Sequence, residues 1–363
     1  MAQTQQKTIK IIKGGLIRYK SIHLSIFNMD LLNFLFLDSL YEFFNPKKRI
    51  FIGYLLIAIF IAAFWLVYFR KLNLREAINK IVDKKILLSK SAKSDYLLFF
   101  INQIIMSVIS PVLITQLAIA TALFYYFHSV SWLDAGVWNN TPLVIIISAF
   151  TLFHFLLEDF SKYFVHRLMH KWPILWAIHK VHHSATFLTP MTVFRTHPLE
   201  GVVFSLRSAF TQAISISSFV FLFGPQVDIA TILGANIFIF AFNIAGSNLR
   251  HSHIDISYWK WLEYLIISPA QHQVHHSVLK QHHDKNFGVA LAVWDWLFGS
   301  LHHSEKIENL KLGIHIDQKE GTHSLRSLYF EPLKEIFLIV IKPLTKLKQI
   351  LKLIKFTLIG VNR

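Results

Sequence analysis

Residues His166–His183 read HRLMHKWPILWAIHKVHH and carry five histidines in eighteen positions. His166 and His170 are four apart, so on a helix they stack one turn above the other on a single face. Asp159, seven residues earlier, shares that face. Trp172-Pro173 predicts a break and a fresh start, because proline suits the first turn of a helix. His179, His182 and His183 follow at i, i+3, i+4, which again places imidazoles along one stripe. The same spacing returns at His272, His275 and His276, behind its own start signal: Ser268 as N-cap, Pro269 in the first turn and Gln271 at the capping-box position. Three short helical segments thus each present a row of imidazoles. If the rows converge, they supply more nitrogen ligands than one tetrahedral ion needs, and two metals are the natural reading.

Composition predicts the setting. The 363 residues are 53% hydrophobic and include 33 Phe, which points to a membrane protein. Cysteine is absent, which excludes disulfides, Cys-ligated zinc, iron-sulfur clusters and thiolate-ligated haem within the chain. The formal charge is +16. Its basic residues lie in loops and tails between apolar stretches without a nucleic-acid motif, so anionic lipid headgroups are the expected partner and nucleic acid is not.

Ile50–Phe69 is uncharged between two basic flanks and is predicted to cross the membrane. Tyr96–Phe127 is mostly apolar with Pro111 in its middle, either one kinked span or a shallow hairpin. Pro142–Tyr163 is the next span and runs directly into His166. Gly201–Ser247, broken at Gly224–Asp228, reads as a hairpin of two helices too short to span with margin. Ser25–Phe44 is expected to be an interfacial helix and Pro332–Gly360 a basic amphipathic helix on the membrane surface. The stretches 128–141 and 224–228 lack Lys and Arg and would face away from the cytoplasm. The expected fold is all-α: polytopic membrane helices carrying a cytoplasmic, histidine-rich di-metal helical cap. It divides into an N-terminal region, 1–135, with transmembrane helices at about 50–69 and 97–127, a histidine-rich region at 140–303 and a basic amphipathic tail at 304–363.

Between His166 and His303 lie 15 of the 20 histidines but only six carboxylates. The Glu-x-x-His pairs of a carboxylate-bridged di-iron bundle are absent, as is the His-Glu-x-x-His of a zinc protease. Two other readings stay open at this point. A histidine-ligated zinc membrane hydrolase is disfavoured because the clusters lack a general-base glutamate. A bis-histidine haem electron-transfer protein is disfavoured because haem needs one histidine from each of two helices rather than stripes of three.

The order HxxxH, HxxHH, long apolar gap, HxxHH resembles the fatty acid hydroxylase and sterol desaturase superfamily of membrane di-iron oxygenases. So do the flanking stretches DFSKYFVHRLMH (159–170), RTHPLE (195–200), SPAQHQVHHS (268–277), DKNFG (284–288) and WDWLFG (294–299). The resemblance covers about residues 140–303. It implies two iron ions, dioxygen as co-substrate and hydroxylation or desaturation of a C–H bond in a lipid such as a fatty acyl chain or sterol. It implies His166, His170, His179, His182, His183, His272, His275 and His276 as metal ligands, with His251 as one more. His253 is the fallback for His251, since on a continuing helix the two lie about 200° apart and only one can face the other histidines. His197 could be a ligand, a group behind the ligands or a fold-fixing residue. His282, His283, Asp284 and Asn286 are expected to hold ligand rings in place, with Asp159 as a further candidate, and His302 and His303 to lie on the surface. No GxGxxG, P-loop or Cys-x-x-Cys-His motif is present, so electrons would come from an external reductase or small carrier. Lys162, Arg167, Lys171 and Lys180 could face it.

Overall fold

The computed structural model describes residues 37, 39–224, 227, 241–242, 247–306, 308, 310–314 and 323–360, with side chains as far as 342. Two units are distinguished, Met1–Phe51 and Ile52–Arg363. In the first, a short helical turn leads into a 3₁₀ turn at Glu42–Phe44. Most of the predicted interfacial helix lies outside the described residues.

The second unit is helical, and its described residues contain no strand beyond two isolated bridges. In chain order its helices are α1 (Ile52–Tyr68), α2 (Leu74–Ile81), a four-residue turn of helix (Lys84–Leu87), α3 (Lys90–Ile109), α4 (Gln116–Ser129), α5 (Leu143–Lys171), α6 (Pro173–His183), α7 (Pro198–Phe223), α8 (Pro269–His275), α9 (Val293–Leu297) and α10 (Leu325–Gly360). Among the described residues, three segments are long and apolar enough to cross a membrane: Lys90–Ser129, Leu143–Lys171 and Pro198–Phe223.

The predicted first span is shorter than its apolar run. Seventeen residues of α1 rise about 26 Å, less than the ~30 Å of a hydrocarbon core. Its Ala58, Ala62 and Leu66 pack on Leu249, Ile254 and Ile256, and its end is tied to the same stretch by Trp65 Nε1 donating to Asp255 O and by the Arg70–Asp255 ion pair.

Pro111 does what the sequence predicts: α3 ends in a 3₁₀ turn at Ser110–Val112, and the chain extends through Leu113 and Thr115 before α4. The segment is a broken span and not a hairpin, because its contacts with α7 advance in one direction. Asn102 bonds Thr196 O, Met106 meets Gly201, Ser217 bonds Ala120 O and His128 meets Phe221.

The α5–α7 pair runs antiparallel in four-residue steps on both helices, the signature of ridge-into-groove packing. Phe150 meets Phe219, His154 bonds Ser215, and Glu158 takes Thr211 and Arg207. α7 is 26 residues long, which corrects the expectation of a helix too short to span. Its N-terminus reaches back into RTHPLE, where His197 caps and Pro198 occupies the first turn. It stops at Gly224, whose φ of +68 suits glycine. The second half of the predicted hairpin falls mostly outside the described residues. The Lys/Arg-free stretch sits at this far end, where Gly136 N and Trp138 N donate to Phe221 O and Leu222 O. The histidine rows sit at the other.

Candidate metal centre

α5 carries His166 and His170 on its last two turns. A backbone break at Trp172, extended with Pro173 behind it, turns the chain into α6. α8 begins as its sequence predicts: Ser268 Oγ accepts from Gln271 N, and Gln271 Oε1 accepts from Ser268 N. The three helix segments meet, and their histidines sort into two groups. His166, His170, His179, His183 and His275 form one; His182, His251, His272 and His276 form the other, with the potential ligand atoms of each group within 4.8 Å of one another. All nine are buried or nearly so.

Each HxxHH row is therefore split, which corrects the expectation of one stripe per helix. His179 and His183 join the first group while His182 joins the second; His272 and His276 join the second while His275 joins the first. Residues four apart differ by about 40° around a helix, whereas the middle histidine is displaced by about 60° to the other side. The two groups adjoin through His183 and His276, whose rings stack at 4.6 Å.

Hydrogen bonds fix several rings. His166 Nδ1 donates to Phe287 O at 2.8 Å and His275 Nδ1 to Lys285 O at 2.7 Å. A carbonyl only accepts, so both rings carry their proton on Nδ1 and keep the Nε2 lone pair for the interior. His179 Nδ1 pairs with Glu200 Oε1 at 2.9 Å. Burial first, then the neighbouring imidazoles, holds His179, His183, His272 and His276 well below the ordinary imidazole range, and His275 is lowered by burial and His166. Neutral rings are what a metal binds.

The donor set fits metal ions. Nε2 of His170, His179, His183 and His275 are buried without a hydrogen-bond partner, an arrangement that costs free energy unless something accepts their lone pairs. In the second group the Nε2 atoms of His182, His251 and His272 converge, with His251 3.1 Å from His182 and 2.9 Å from His272. Ligands about 2.0–2.1 Å from a tetrahedral ion stand about 3.3 Å apart.

His251 faces this group and His253 does not, for a reason other than the one expected. The chain makes a 3₁₀ turn at Ser247–Leu249 and bends through His251 instead of continuing as a helix. His253 turns outward and donates from Nε2 to Lys80 O at 2.7 Å. At His197, Nδ1 accepts from Leu199 N and Nε2 donates to Tyr329 O.

The other expected supports bond to backbone groups and to side chains outside the nine histidines. Asp159 accepts from Ala290 N, Leu291 N and Trp294 Nε1. Asn286 Oδ1 accepts from His302 N, and its amide donates to Gln271 O. His283 bonds Val278 O, Asp284 pairs with Lys171, and His282 meets Glu305. His302 and His303 are half-buried and not free surface residues, the latter bonded to Glu263. The ring supports that sequence reasoning missed are Glu200 and the carbonyls of Lys285 and Phe287. Of these only Glu200 had a signal, as the acidic residue of RTHPLE. The four basic residues expected to face an electron carrier have partners within the chain: Lys162 with Glu158, Arg167 with Tyr163, Lys171 with Asp284 and Lys180 with Glu335.

The 284–300 loop exists to present those carbonyls. Asp284 and Asn286 adopt positive φ, 59 and 56, which these residue types tolerate best after glycine. Asp295 accepts from Phe287 N, Gly288 N and Ser300 Oγ, and burial raises its carboxyl to about 6. A methyl group on Gly288 would stand 2.5 Å from Leu291 O and 2.8 Å from Asp295 Oδ2. Gly288→Ala is expected to cost about 1–3 kcal/mol of stability, read as a lower thermal midpoint of the purified protein; an unchanged midpoint would show that the loop yields freely. A cavity of about 350 Å³ lies against the first group, lined by His170, Trp176, His183, His275, Val278 and Ile314 among others.

The fatty acid hydroxylase family profile matches residues 151–300. The human alkylglycerol monooxygenase is 28% identical over 183 residues, which is 50% of this chain and 35% of that protein. A Delta(7)-sterol 5(6)-desaturase of Aspergillus fumigatus is 30% identical over 171 residues, 44% of this chain and 49% of that protein. An ornithine lipid hydroxylase of Rhizobium tropici is 26% identical over 188 residues, 52% of this chain and 50% of that protein. The chain thus spans half or less of the length of these relatives. No solved structure matches it significantly. Over residues 151–300, with the histidine rows in this order, the chain matches the fatty acid hydroxylase family, and these relatives support its place in the fatty acid hydroxylase and sterol desaturase superfamily.

Proposed function

We propose that the protein is a membrane-bound, dioxygen-dependent oxidoreductase that hydroxylates or desaturates a C–H bond of a lipid, with two iron ions held by the nine histidines. The observation that carries this reading is the sorting of nine imidazoles into two adjoining groups, with the Nε2 atoms of His170, His179, His183 and His275 buried and unpartnered in the first. Two imidazole-held irons would supply the reduction of dioxygen and the oxidation of an unactivated C–H bond. The chain's own residues do the rest. Phe287 O, Lys285 O and Glu200 hold the rings of His166, His275 and His179 in one orientation. The apolar helices α3, α5 and α7 keep the lipid phase beside the site, and the cavity at Trp176, Val278 and Ile314 gives a small molecule access to the first group. Electrons come from an external reductase or carrier. The test is turnover under ¹⁸O-labelled dioxygen with a reductase system and candidate acyl, sterol and glycerol-ether lipids: a hydroxylated product carries the label, and a desaturated product forms only when dioxygen is supplied. Product formation without dioxygen contradicts the reading.

Within this proposal His251 is the ninth ligand. His251→Ala is expected to lower iron content and activity together by roughly 10-fold or more, and His253→Ala by at most a few-fold. The reverse pattern would move the ligand to His253.

The site is further proposed to face the cytoplasm, because the Lys/Arg-free segment lies at the opposite end of α7 from the histidines. The chain has no native cysteine, so single cysteines report side directly. Lys280→Cys is expected to react with an impermeant maleimide only from the cytoplasmic face and Asn139→Cys only from the other; labelling of both from one face would refute the orientation.

A further inference from the structure

A third cluster of metal-binding side chains lies outside both histidine groups. His282, His302 and Glu305 bring potential ligand atoms within 4.8 Å of one another. Glu305 Oε1 stands 3.1 Å from His282 Nε2 and 3.8 Å from His302 Nε2. Atoms bound to one tetrahedral zinc ion stand about 3.3 Å apart, so little movement would close the set. The side chain of His282 has no solvent exposure, and the other two are about one-third exposed or less.

Proton positions argue for a cation. His302 Nδ1 contacts His303 O at 2.8 Å, and since the carbonyl only accepts, the ring's Nδ1 carries hydrogen. In the neutral ring this leaves Nε2 as a lone pair, and it faces a carboxylate oxygen. Two acceptors turned toward each other repel unless a cation stands between them. The Gln281 amide nitrogen lies 3.3 Å from His282 Nε2 and would turn away when that nitrogen takes a cation. The His₂Glu set with an open position is one that zinc takes, and the backbone carbonyl behind His302 is the outer support such a ligand uses.

We infer that His282, His302 and Glu305 form a separate zinc-binding site that staples the two ends of the loop supporting the main centre. His282 precedes that loop and His302 follows it. Between them lie Lys285 O and Phe287 O, which orient His275 and His166, and Asn286, which holds His302 N. Zinc at this three-ligand site fixes where the two carbonyls stand and takes no part in the lipid oxidation. The site does not depend on what the nine histidines bind.

The test is zinc titration of the full-length, chelator-treated protein in detergent, read by competition with a chromophoric chelator and compared between wild type and the single variants His302→Ala and Glu305→Ala. Both residues are partly exposed, so truncation leaves the core filled. Each variant is expected to bind one equivalent of zinc less than wild type, whatever the total. Zinc is also expected to raise the thermal midpoint by a larger margin in wild type than in either variant, since a ligand that binds only the folded state stabilises it. Equal stoichiometry in wild type and both variants overturns the inference and leaves an imidazolium–carboxylate contact. A variant that loses its cooperative unfolding transition is replaced by His302→Gln, which keeps a polar side chain of similar reach, and the same one-equivalent difference decides.

Discussion

Replacing His179 or His275 by alanine is expected to abolish oxygen-dependent turnover while the protein still inserts in the membrane. Each contributes a buried Nε2 without a hydrogen-bond partner to the first group, and each has its Nδ1 occupied, by Glu200 and by Lys285 O. Neither ring has a second use. Loss of an outer-shell partner typically costs 10–100-fold, so loss of the ligand itself is expected to exceed about 100-fold in activity, with iron content falling in parallel. The apolar surfaces of α3, α5 and α7 are untouched, and membrane fractionation should therefore be unchanged. Near-normal turnover in either variant would remove that position from the centre.

The second large effect is on folding. Arg195 is fully buried and ties four segments together. It pairs with Asp95 of α3 at 2.9 Å and donates to Ser91 O. It also donates to Val181 O and Ser184 Oγ at the end of α6, and meets His323 before α10. Val181 O also accepts from Ser184 N and Ser184 Oγ at the C-terminal cap of α6, and His182 and His183 follow it directly. Arg195→Ala leaves the Asp95 carboxylate buried beside Thr192 alone. Breaking a buried pair from one side costs about 3–5 kcal/mol, a large share of the ~5–15 kcal/mol that stabilises a typical domain. The variant is expected to accumulate poorly and unfold at a lower temperature. Removing both charges, as Arg195→Met with Asp95→Leu, is expected to cost less than the single change. A wild-type thermal midpoint for Arg195→Ala would contradict this account.

Much of the centre was legible from spacing alone, and helix geometry says why. His166 with His170, His179 with His183, and His272 with His276 are all four apart and each pair stays in one group; the i+3 histidine of each triplet crosses to the other. The helix starts at Pro173 and Ser268 were equally local, each written in a proline or a capping box. Contacts that carry no side-chain signal were not legible. Lys285 O and Phe287 O hold two rings, yet a backbone carbonyl is the same in every residue, and only the fold brings those two beneath His275 and His166. The contacts of Asp159 and Asn286 with backbone amides and carbonyls of distant residues were not legible either, since the fold alone brings those groups to them. The length of α7 was missed because RTHPLE reads as a polar motif, while His197 and Pro198 begin a helix long and apolar enough to cross a membrane.

The most direct measurement is the metal content of the purified protein together with its ultraviolet-visible spectrum. The account predicts about two iron ions per chain, lost together in His179→Ala and His275→Ala, with no Soret band. Zinc with no iron, or a Soret band from haem, would contradict it.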